Sequence, residues 1–152
     1  MEEKDYAPLA KKYKLPDFAE MNRVFRIAEI EVKDGPSASV RHKMIETIEP
    51  SIDFVEHLLQ PDPNLMSDMY ECKYIDAEDK SHLFSLYKRL MKTIRTHLEL
   101  DIRQDEKEDA HFIATFFKEW EEMKDTLLPF VVKIKTCWTE PTETREKLEY
   151  LG

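Results

Sequence analysis

Apolar residues recur at helical spacing along most of the chain, and this pattern constrains the fold more than any other feature. The longest stretch lies between residues 106 and 138, where the apolar residues stay in one phase despite a proline at position 129: Ile113, Phe117, Trp120, Met123, Leu127, Val131, Ile134 and Trp138. Residues spaced three and four apart share one face of an α-helix. No segment alternates convincingly with the period of a β-strand. The sequence therefore predicts an all-α protein.

Capping signals mark where three of the long helices begin. The signals are acidic pairs at N-cap spacing, namely Asp17 with Glu20, Asp76 with Asp79, and Asp105 with Glu108. A side-chain oxygen at such a position accepts N–H groups that the first turn of a helix leaves unpaired. The pairs predict helix starts close to residues 18, 77 and 106.

Turn residues predict the boundary between the first and second long helices. Gly35 and Pro36 are expected to end the first helix, which we predict over residues 18–32, because glycine suits a left-handed cap and proline cannot continue a helix. Either Ser37 or Ser39 is then expected to cap the second helix. The apolar residues of that helix keep one phase through Pro50, so we predict a single helix with a bend.

A short helix is predicted between the second and third long helices, with Asp62 as its cap and Pro63 at its first position. The third helix is expected to run to about Ile102, and its inner side is predicted to carry Leu83, Leu86, Tyr87, Leu90, Ile94 and Leu98. Short connections favour antiparallel neighbours. The predicted fold is therefore an antiparallel, up-down-up-down four-helix bundle with a short connecting helix and short terminal extensions.

The chain has the size of one domain, since 152 residues with 41% hydrophobic content can bury one core of ordinary dimensions. We predict a single helical-bundle domain over residues 1–152. The terminal segments, 1–15 and 139–152, are expected either to dock on the bundle or to be mobile.

Composition argues against several partners and locations. The net charge of −9 gives a field that repels phosphate backbones, so nucleic acid is not an expected partner. No hydrophobic run is long enough for a membrane anchor. Cys72 and Cys137 are far apart and form no disulfide framework, which favours a reducing, cytoplasmic setting. The Glu- and Lys-rich, amide-poor composition is typical of thermophile proteins, although seven methionines weaken that inference.

The small number of glycines argues against the common classes of nucleotide-binding enzyme. Only Gly35 and Gly152 occur, so no glycine-rich loop can cradle a pyrophosphate. The hydrolase motifs GxSxG and HExxH are also absent. The sequence therefore favours a non-enzymatic protein with no cofactor, although a catalytic triad can assemble from distant residues.

Two acid–histidine pairs have the spacing found in di-iron bundles. Glu108 with His111 has the Glu-x-x-His spacing, and Asp79 with His82 is its aspartate analogue. On a helical wheel Glu108 and His111 point away from the apolar stripe, and the two pairs begin antiparallel neighbours. We therefore expect solvated helix starts rather than a metal centre.

Four polar residues are expected to meet on the inner faces of three helices. Arg41 lies within the apolar arc of the second helix, His97 and Asp101 lie within that of the third, and Asp109 faces inward one turn into the fourth. One interpretation is a structural ion-pair layer. The other is a ligand-binding site, in which either His97, Asp101 and Asp109 hold zinc, iron or manganese, or Arg41 and His97 hold an anionic ligand.

The last helix has an apolar surface that covers more than half of its circumference, including Phe112, Phe116, Phe117, Trp120, Met123, Leu127, Leu128, Val131, Val132 and Ile134. Either the terminal segments cover it, or it is a binding or dimer surface. The leading functional prediction is a small acidic helical protein that acts through protein–protein contacts or self-association. The alternative is a bundle that binds a divalent metal or a small ligand at the polar layer and could carry out hydrolysis.

Overall fold

The computed structural model of the chain describes residues 1–32 and 35–140. These described residues form six α-helices: α1 (Glu3–Tyr13), α2 (Phe18–Phe25), α3 (Pro36–Leu59), α4 (Met66–Glu71), α5 (Ala77–Arg103) and α6 (Glu106–Cys137). Short 3₁₀ turns lie at Ile27–Glu29 and Cys72–Tyr74. None of the residues in the two described ranges lies in a β-strand, which confirms the all-α prediction. None of these helices is long and apolar enough to cross a membrane.

The described residues group into two compact units. Unit 1 consists of Met1–Pro50 and Met91–Glu121, and unit 2 consists of Ser51–Leu90 and the described residues from Glu122 onward. The three long helices, α3, α5 and α6, therefore contribute residues to both units. The predicted single domain over 1–152 stays a prediction, and most of the predicted C-terminal extension, residues 141–152, lies outside the described residues.

The three predicted N-caps are confirmed, and each has the expected hydrogen bond to the backbone. Asp17 accepts the N–H of Glu20 at 2.9 Å, and Asp76 accepts that of Asp79 at 2.8 Å. Asp105 accepts the N–H of Glu108 at 3.2 Å. These caps begin α2, α5 and α6. The starts of these helices are thus encoded within a few residues of local sequence.

The predicted first helix over residues 18–32 is wrong beyond Phe25. Arg26 adopts a left-handed conformation with φ of 55°, which ends α2. The Asn22 side chain then accepts the N–H of Ala28 at 2.9 Å, replacing a helical backbone partner with a side-chain oxygen. This competition between an asparagine and the backbone shortens the helix to eight residues.

The predicted serine cap of the second helix is also wrong. α3 begins at Pro36, and the N–H of Ser39 donates to the Gly35 carbonyl at 3.1 Å. Proline suits the first turn because its missing N–H has no helical partner there. The hydroxyl of Ser37 instead donates to a carboxylate on α6, as described below. The prediction that the helix continues through Pro50 is confirmed.

The connecting helix exists but begins later than predicted. α4 begins at Met66 rather than at Pro63, because the Asp62 carboxylate accepts the N–H of Asn64 at 2.9 Å and holds a turn there.

The N-terminal segment forms α1 and packs within unit 1. Tyr6 is fully buried and its hydroxyl donates to the Pro16 carbonyl at 2.6 Å. Tyr13 and Lys12 both donate to Glu106 at the start of α6, at 2.9 and 3.0 Å. Of the two alternatives for residues 1–15, docking is therefore the one observed.

Each unit has its own apolar core. In unit 1 the buried residues include Met21, Phe25, Met44, Ile48, Ile113, Phe116 and Trp120, and in unit 2 they include Val55, Leu58, Leu83, Leu86, Leu90, Met123, Leu127, Phe130 and Ile134. Leu98, predicted on the inner side of the third helix, is 52% exposed, and Leu100 is buried instead. The inner face of α5 near its end is occupied by Thr93 and His97, so the apolar stripe does not extend to Leu98.

We predict that Trp120→Ala lowers the free energy of unfolding by about 3–5 kcal/mol, because the indole is only 6% exposed and its removal leaves a cavity. Ile102→Ala is the matched control, since Ile102 is 78% exposed and its loss should change stability by no more than about 0.5 kcal/mol. Urea denaturation followed by circular dichroism measures both. Equal midpoints for the two variants would contradict the assignment of the core.

Candidate functional site

The structure brings the four predicted polar residues together around the guanidinium of Arg41, which is 1% exposed. Its Nε donates to Asp109 Oδ1 at 2.9 Å, and its Nη1 donates to Asp101 Oδ1 at 2.8 Å. The Ser37 hydroxyl donates to the other Asp109 oxygen at 2.9 Å. We call Ser37, Arg41, His42, His97, Asp101 and Asp109 the Arg41 cluster. All six residues belong to unit 1.

The contact between Arg41 and His97 fixes the protonation of the imidazole. Nη1 of Arg41 lies 2.7 Å from Nδ1 of His97 and 3.1 Å from the His97 carbonyl oxygen. A guanidinium can only donate, so Nδ1 must hold the lone pair and the neutral ring carries its proton on Nε2. Burial, together with the charges of Arg41 and His42, lowers the pKa of His97 against the opposing effect of Asp101 and Asp109. His97 is therefore a neutral hydrogen-bond acceptor for Arg41.

Asp101 links the buried part of the cluster to the exposed His42. Burial opposes ionisation of Asp101, but its bonds to Arg41 and His42 outweigh this effect and lower its pKa. Nε2 of His42 lies 2.8 Å from Asp101 Oδ1, and the His42 ring meets His97 edge-on with 4.7 Å between centroids. Asp101 is therefore a carboxylate that both neighbours keep ionised.

Sequence reasoning missed Ser37 and His42 as members of the cluster. The sequence predicts Ser37 or Ser39 as a helix cap, although the position of Ser37 four residues before Arg41 places these two on one helical face. His42 follows Arg41 directly, and adjacent residues point in different directions on a helical wheel. The spacing could have identified Ser37, whereas His42 reaches the cluster only through the length of its side chain.

The predicted metal ligands do not all meet at one point. Among the described residues, His42, His97 and Asp101 form a set of three potential ligands whose ligand atoms all lie within 4.8 Å of one another, and Asp109 does not belong to it. Both oxygens of Asp109 already accept hydrogen bonds, from Arg41 and Ser37. A metal ion on His97 would have to displace either Arg41 from Nδ1 or the proton from Nε2. The geometry therefore favours an ion-pair network whose cation is the guanidinium, and the metal site stays a prediction.

The two acid–histidine pairs considered for di-iron binding have other partners. Asp79 pairs with Lys133 at 2.8 Å, and this contact lowers its pKa. Glu108 lies 3.9 Å from Arg103. His82 and His111 are exposed. These residues therefore behave as ordinary groups at helix starts.

The second half of α6 exposes apolar side chains on one face. Leu128 is 61% exposed, Val132 is 46% exposed and Val131 is 39% exposed, at positions i, i+4 and i+3. Asp125 and Lys135 lie on the same side, and both are exposed. We call these five residues the outer face of α6; they belong to unit 2. The predicted broad apolar surface is therefore only partly covered by the described residues.

A buried carboxylate also holds a histidine in unit 2, and sequence reasoning missed this pair. Nδ1 of His57, near the end of α3, lies 2.6 Å from Asp68 Oδ2 on α4. The same oxygen accepts the N–H of Asp62 at 2.9 Å, and Asp68 is 4% exposed. The hydrogen bond and charge of Asp68 raise the pKa of His57. No local spacing signals this contact, because it depends on how the connecting segment folds back onto α3.

We predict that Arg41→Met lowers the free energy of unfolding by about 3–5 kcal/mol, because it leaves the buried Asp109 without its cationic partner. The control Arg103→Met removes an exposed ion pair with Glu99 and should cost less than about 1 kcal/mol. The double variant Arg41→Met/Asp109→Leu should be less destabilised than Arg41→Met alone, since no charge is then left buried. Urea titrations compare the three, and equal losses in Arg41→Met and Arg103→Met would show that water reaches the cluster.

We predict that the imidazoles of His97 and His57 titrate on opposite sides of pH 6.5, His97 below and His57 above. Because its folded-state pKa is depressed, His97 should cost stability as the pH falls below about 6.5. Because its folded-state pKa is raised, His57 contributes stability that is fully present below about pH 6.5 and is lost as the pH rises through the folded-state pKa. A ¹⁵N-edited NMR titration, assigned with His97→Gln and His57→Gln, measures both values. Identical titration of the two rings would contradict the geometry of both sites.

Comparison of the chain with protein-family models, with curated protein sequences and with solved structures gave no match. No activity, ligand or partner can therefore be transferred to it from a relative. Its function has to be inferred from the groups that the structure leaves exposed or lining a cleft.

Proposed function

We propose that the chain is a non-enzymatic helical protein that acts through protein–protein contacts, and that it self-associates through the outer face of α6. The observation that carries this proposal is the exposure of Leu128, Val131 and Val132 on one side of a helix. Apolar side chains at this spacing form a seam that a second helix can cover. Covering them removes apolar surface from water, which is the main driving force of protein association.

The order of residues along the outer face of α6 suits an antiparallel pair of identical helices. In a twofold dimer whose axis lies level with Phe130, Leu128 of one copy faces Val132 of the other. In the same register Asp125 of one copy faces Lys135 of the other, because both lie five residues from the axis. In an isologous contact of this kind, each favourable pair of residues occurs twice. Charge complementarity and apolar burial therefore favour a second copy of the chain as the occupant.

The size of the apolar seam suggests a weak dimer. Stable interfaces bury about 800 Å² on each partner, and three apolar side chains supply only part of that area. The net charge of −9 on each copy also opposes association, although salt screens this repulsion. We therefore expect a reversible, concentration-dependent dimer.

The alternative function, binding of a divalent metal or a small ligand at the Arg41 cluster with hydrolytic chemistry, has less support. Arg41 donates hydrogen bonds to Asp101, to Asp109 and to the unprotonated Nδ1 of His97. A ligand that binds Nε or Nη1 of Arg41, or Nδ1 of His97, would have to replace these bonds. A protein partner also suits the acidic composition better than nucleic acid does.

We also propose the up-down-up-down arrangement for the helices, in a cytoplasmic protein. Contacts within unit 1 pair the start of α3 with the end of α5 through Arg41 and Asp101. Contacts within unit 2 pair the start of α5 with the end of α6 through Asp79 and Lys133. Both favour antiparallel neighbours. Two free thiols, Cys72 and Cys137, are consistent with a reducing compartment.

We predict that reversing either charge of the outer face weakens the dimer and that reversing both restores it. Asp125→Lys and Lys135→Asp each turn two attractive contacts into repulsive ones, so the dissociation constant should rise by about tenfold. The double variant exchanges the two charges and should return close to the wild-type value. Sedimentation equilibrium over a range of protein concentrations measures all three.

Matched controls separate this effect from a change in net charge. Glu49→Lys and Lys118→Asp make the same changes at exposed positions away from the outer face and should leave the dissociation constant unchanged. Leu128→Lys should leave the chain monomeric. A wild-type chain that stays monomeric up to its solubility limit would refute self-association. A dimer that the outer-face variants do not weaken would place the contact elsewhere.

A further inference from the structure

Unit 2 contains a cleft of about 730 Å³ between the end of α3 and the first half of α5. Its polar lining includes His57 from α3 and Lys80 from α5, and its apolar lining includes Leu59, Ala77 and Phe84. A volume of this size lies in the range of small-molecule sites, which combine an apolar wall with a few placed polar groups. The cleft is separate from the outer face of α6.

His57 reaches this cleft with one nitrogen available. Its Nδ1 is held by the buried carboxylate of Asp68 at 2.6 Å, so Nε2 is the nitrogen left for a molecule in the cleft. Asp68 is itself fixed by the N–H of Asp62 at 2.9 Å. A histidine oriented by a buried carboxylate has its tautomer and ring position set in advance. When protonated, it presents an N–H donor to the cleft.

The charged groups of the cleft comprise two donors, His57 and Lys80, and two carboxylates, Glu56 and Asp62. Glu56 accepts a hydrogen bond from the Tyr87 hydroxyl, and Asp62 accepts the N–H of Asn64. Lys80 is exposed and makes no ion pair with any residue in the described ranges. The charged donors that a ligand can meet in the cleft are Lys80 and the imidazolium of His57. A ligand that satisfies them must be an acceptor, and a negative charge strengthens both bonds.

The apolar wall of the cleft favours a ligand that also has a hydrophobic part. Phe84 is 51% exposed although it is a large aromatic residue, and its ring lies 6.5 Å from that of Tyr87. The Lys88 ammonium lies 5.5 Å from the centre of the Phe84 ring. A flat apolar group stacked against Phe84 would remove part of this surface from water.

We propose that the cleft of unit 2 binds a small organic carboxylate with an aromatic or aliphatic body, with the carboxylate between His57 and Lys80 and the body against Phe84. This site is independent of self-association through α6.

Binding should depend on pH through the imidazolium of His57. The charged groups around this ring are Asp53 and Glu56 on its own helix, Asp68 on α4, Asp62 in the connecting segment and Lys80 on α5. The three aspartates hold the proton on His57 and raise its pKa. The affinity for a carboxylate should therefore be high below that pKa and fall as the pH rises through it.

The test is an NMR titration of the full chain with sodium benzoate, sodium acetate and benzyl alcohol. Benzoate carries both the charge and the ring, and each of the other probes lacks one of them. We expect saturable benzoate binding, with a dissociation constant of the order of 10 mM for a fragment of this size. The shifted resonances should include His57, Lys80 and Phe84, and both other probes should bind more weakly.

Substitutions test which side chains are responsible for benzoate binding. Lys80→Gln leaves the His57–Asp68 pair intact and should weaken benzoate binding by about two- to fivefold. His57→Gln should also weaken it and abolish its pH dependence, while the matched controls Lys118→Gln and His111→Gln should do neither. Shifts that rise linearly with benzoate concentration, or an affinity that Lys80→Gln and His57→Gln leave at the level of the controls, would overturn the proposal.

Discussion

The buried guanidinium of Arg41 is the interaction on which unit 1 depends most. A charge that is 1% exposed is stable only if partners replace the water it has lost, and here two carboxylates and an imidazole do so. Asp109 belongs to α6, and His97 and Asp101 belong to α5. One side chain of α3 therefore sets the positions of two other helices, and the neutral state of His97 follows from its contact with Arg41.

The pairing of these charged groups with one another also indicates where function is to be sought. Residues with His, Asp and Arg side chains in one place suggest a metal or catalytic site, yet the contacts of the guanidinium and of Asp109 are already made within unit 1. Unit 2, in contrast, leaves some apolar and charged side chains without such partners among the described residues. Leu128 and Val132 remain exposed, and Lys80 has no acidic partner among the described residues. Binding uses groups that the fold leaves unsatisfied, so we place both proposed functions in unit 2.

Local signals predicted much of this structure, because they depend on residues close together in the chain. The caps at Asp17, Asp76 and Asp105 each need only the following turn, and the burial of Trp120 follows from the phase of a long helix. The convergence of Arg41 with Asp109 was predictable for a related reason. A charged residue within an apolar stripe must find a partner in the core, and few candidates faced inward.

Features that depend on competing local bonds or on tertiary contacts could not be predicted from the sequence. The Asn22 side chain accepts the N–H of Ala28 at the end of α2. This bond competes with the backbone bonds that would have continued the helix, and the local sequence is compatible with both. His57 meets Asp68 only because the segment after α3 folds back, and nothing in an eleven-residue separation indicates this. The exposure of Leu98 shows the same limit. Periodicity predicts which face of a helix is buried, but not the residue at which that burial ends.

Zero-length cross-linking with a carbodiimide tests the central claim, self-association through the outer face of α6, most directly. Asp125 and Lys135 lie ten residues apart on one helix, about 15 Å along its axis, so an amide bond cannot join them within one chain. In a mixture of ¹⁴N- and ¹⁵N-labelled chains, our account predicts a dimer in which mass spectrometry identifies a mixed-label peptide joining Asp125 to Lys135. A dimer without this link, or no cross-linked dimer at concentrations where the chain associates, would contradict it.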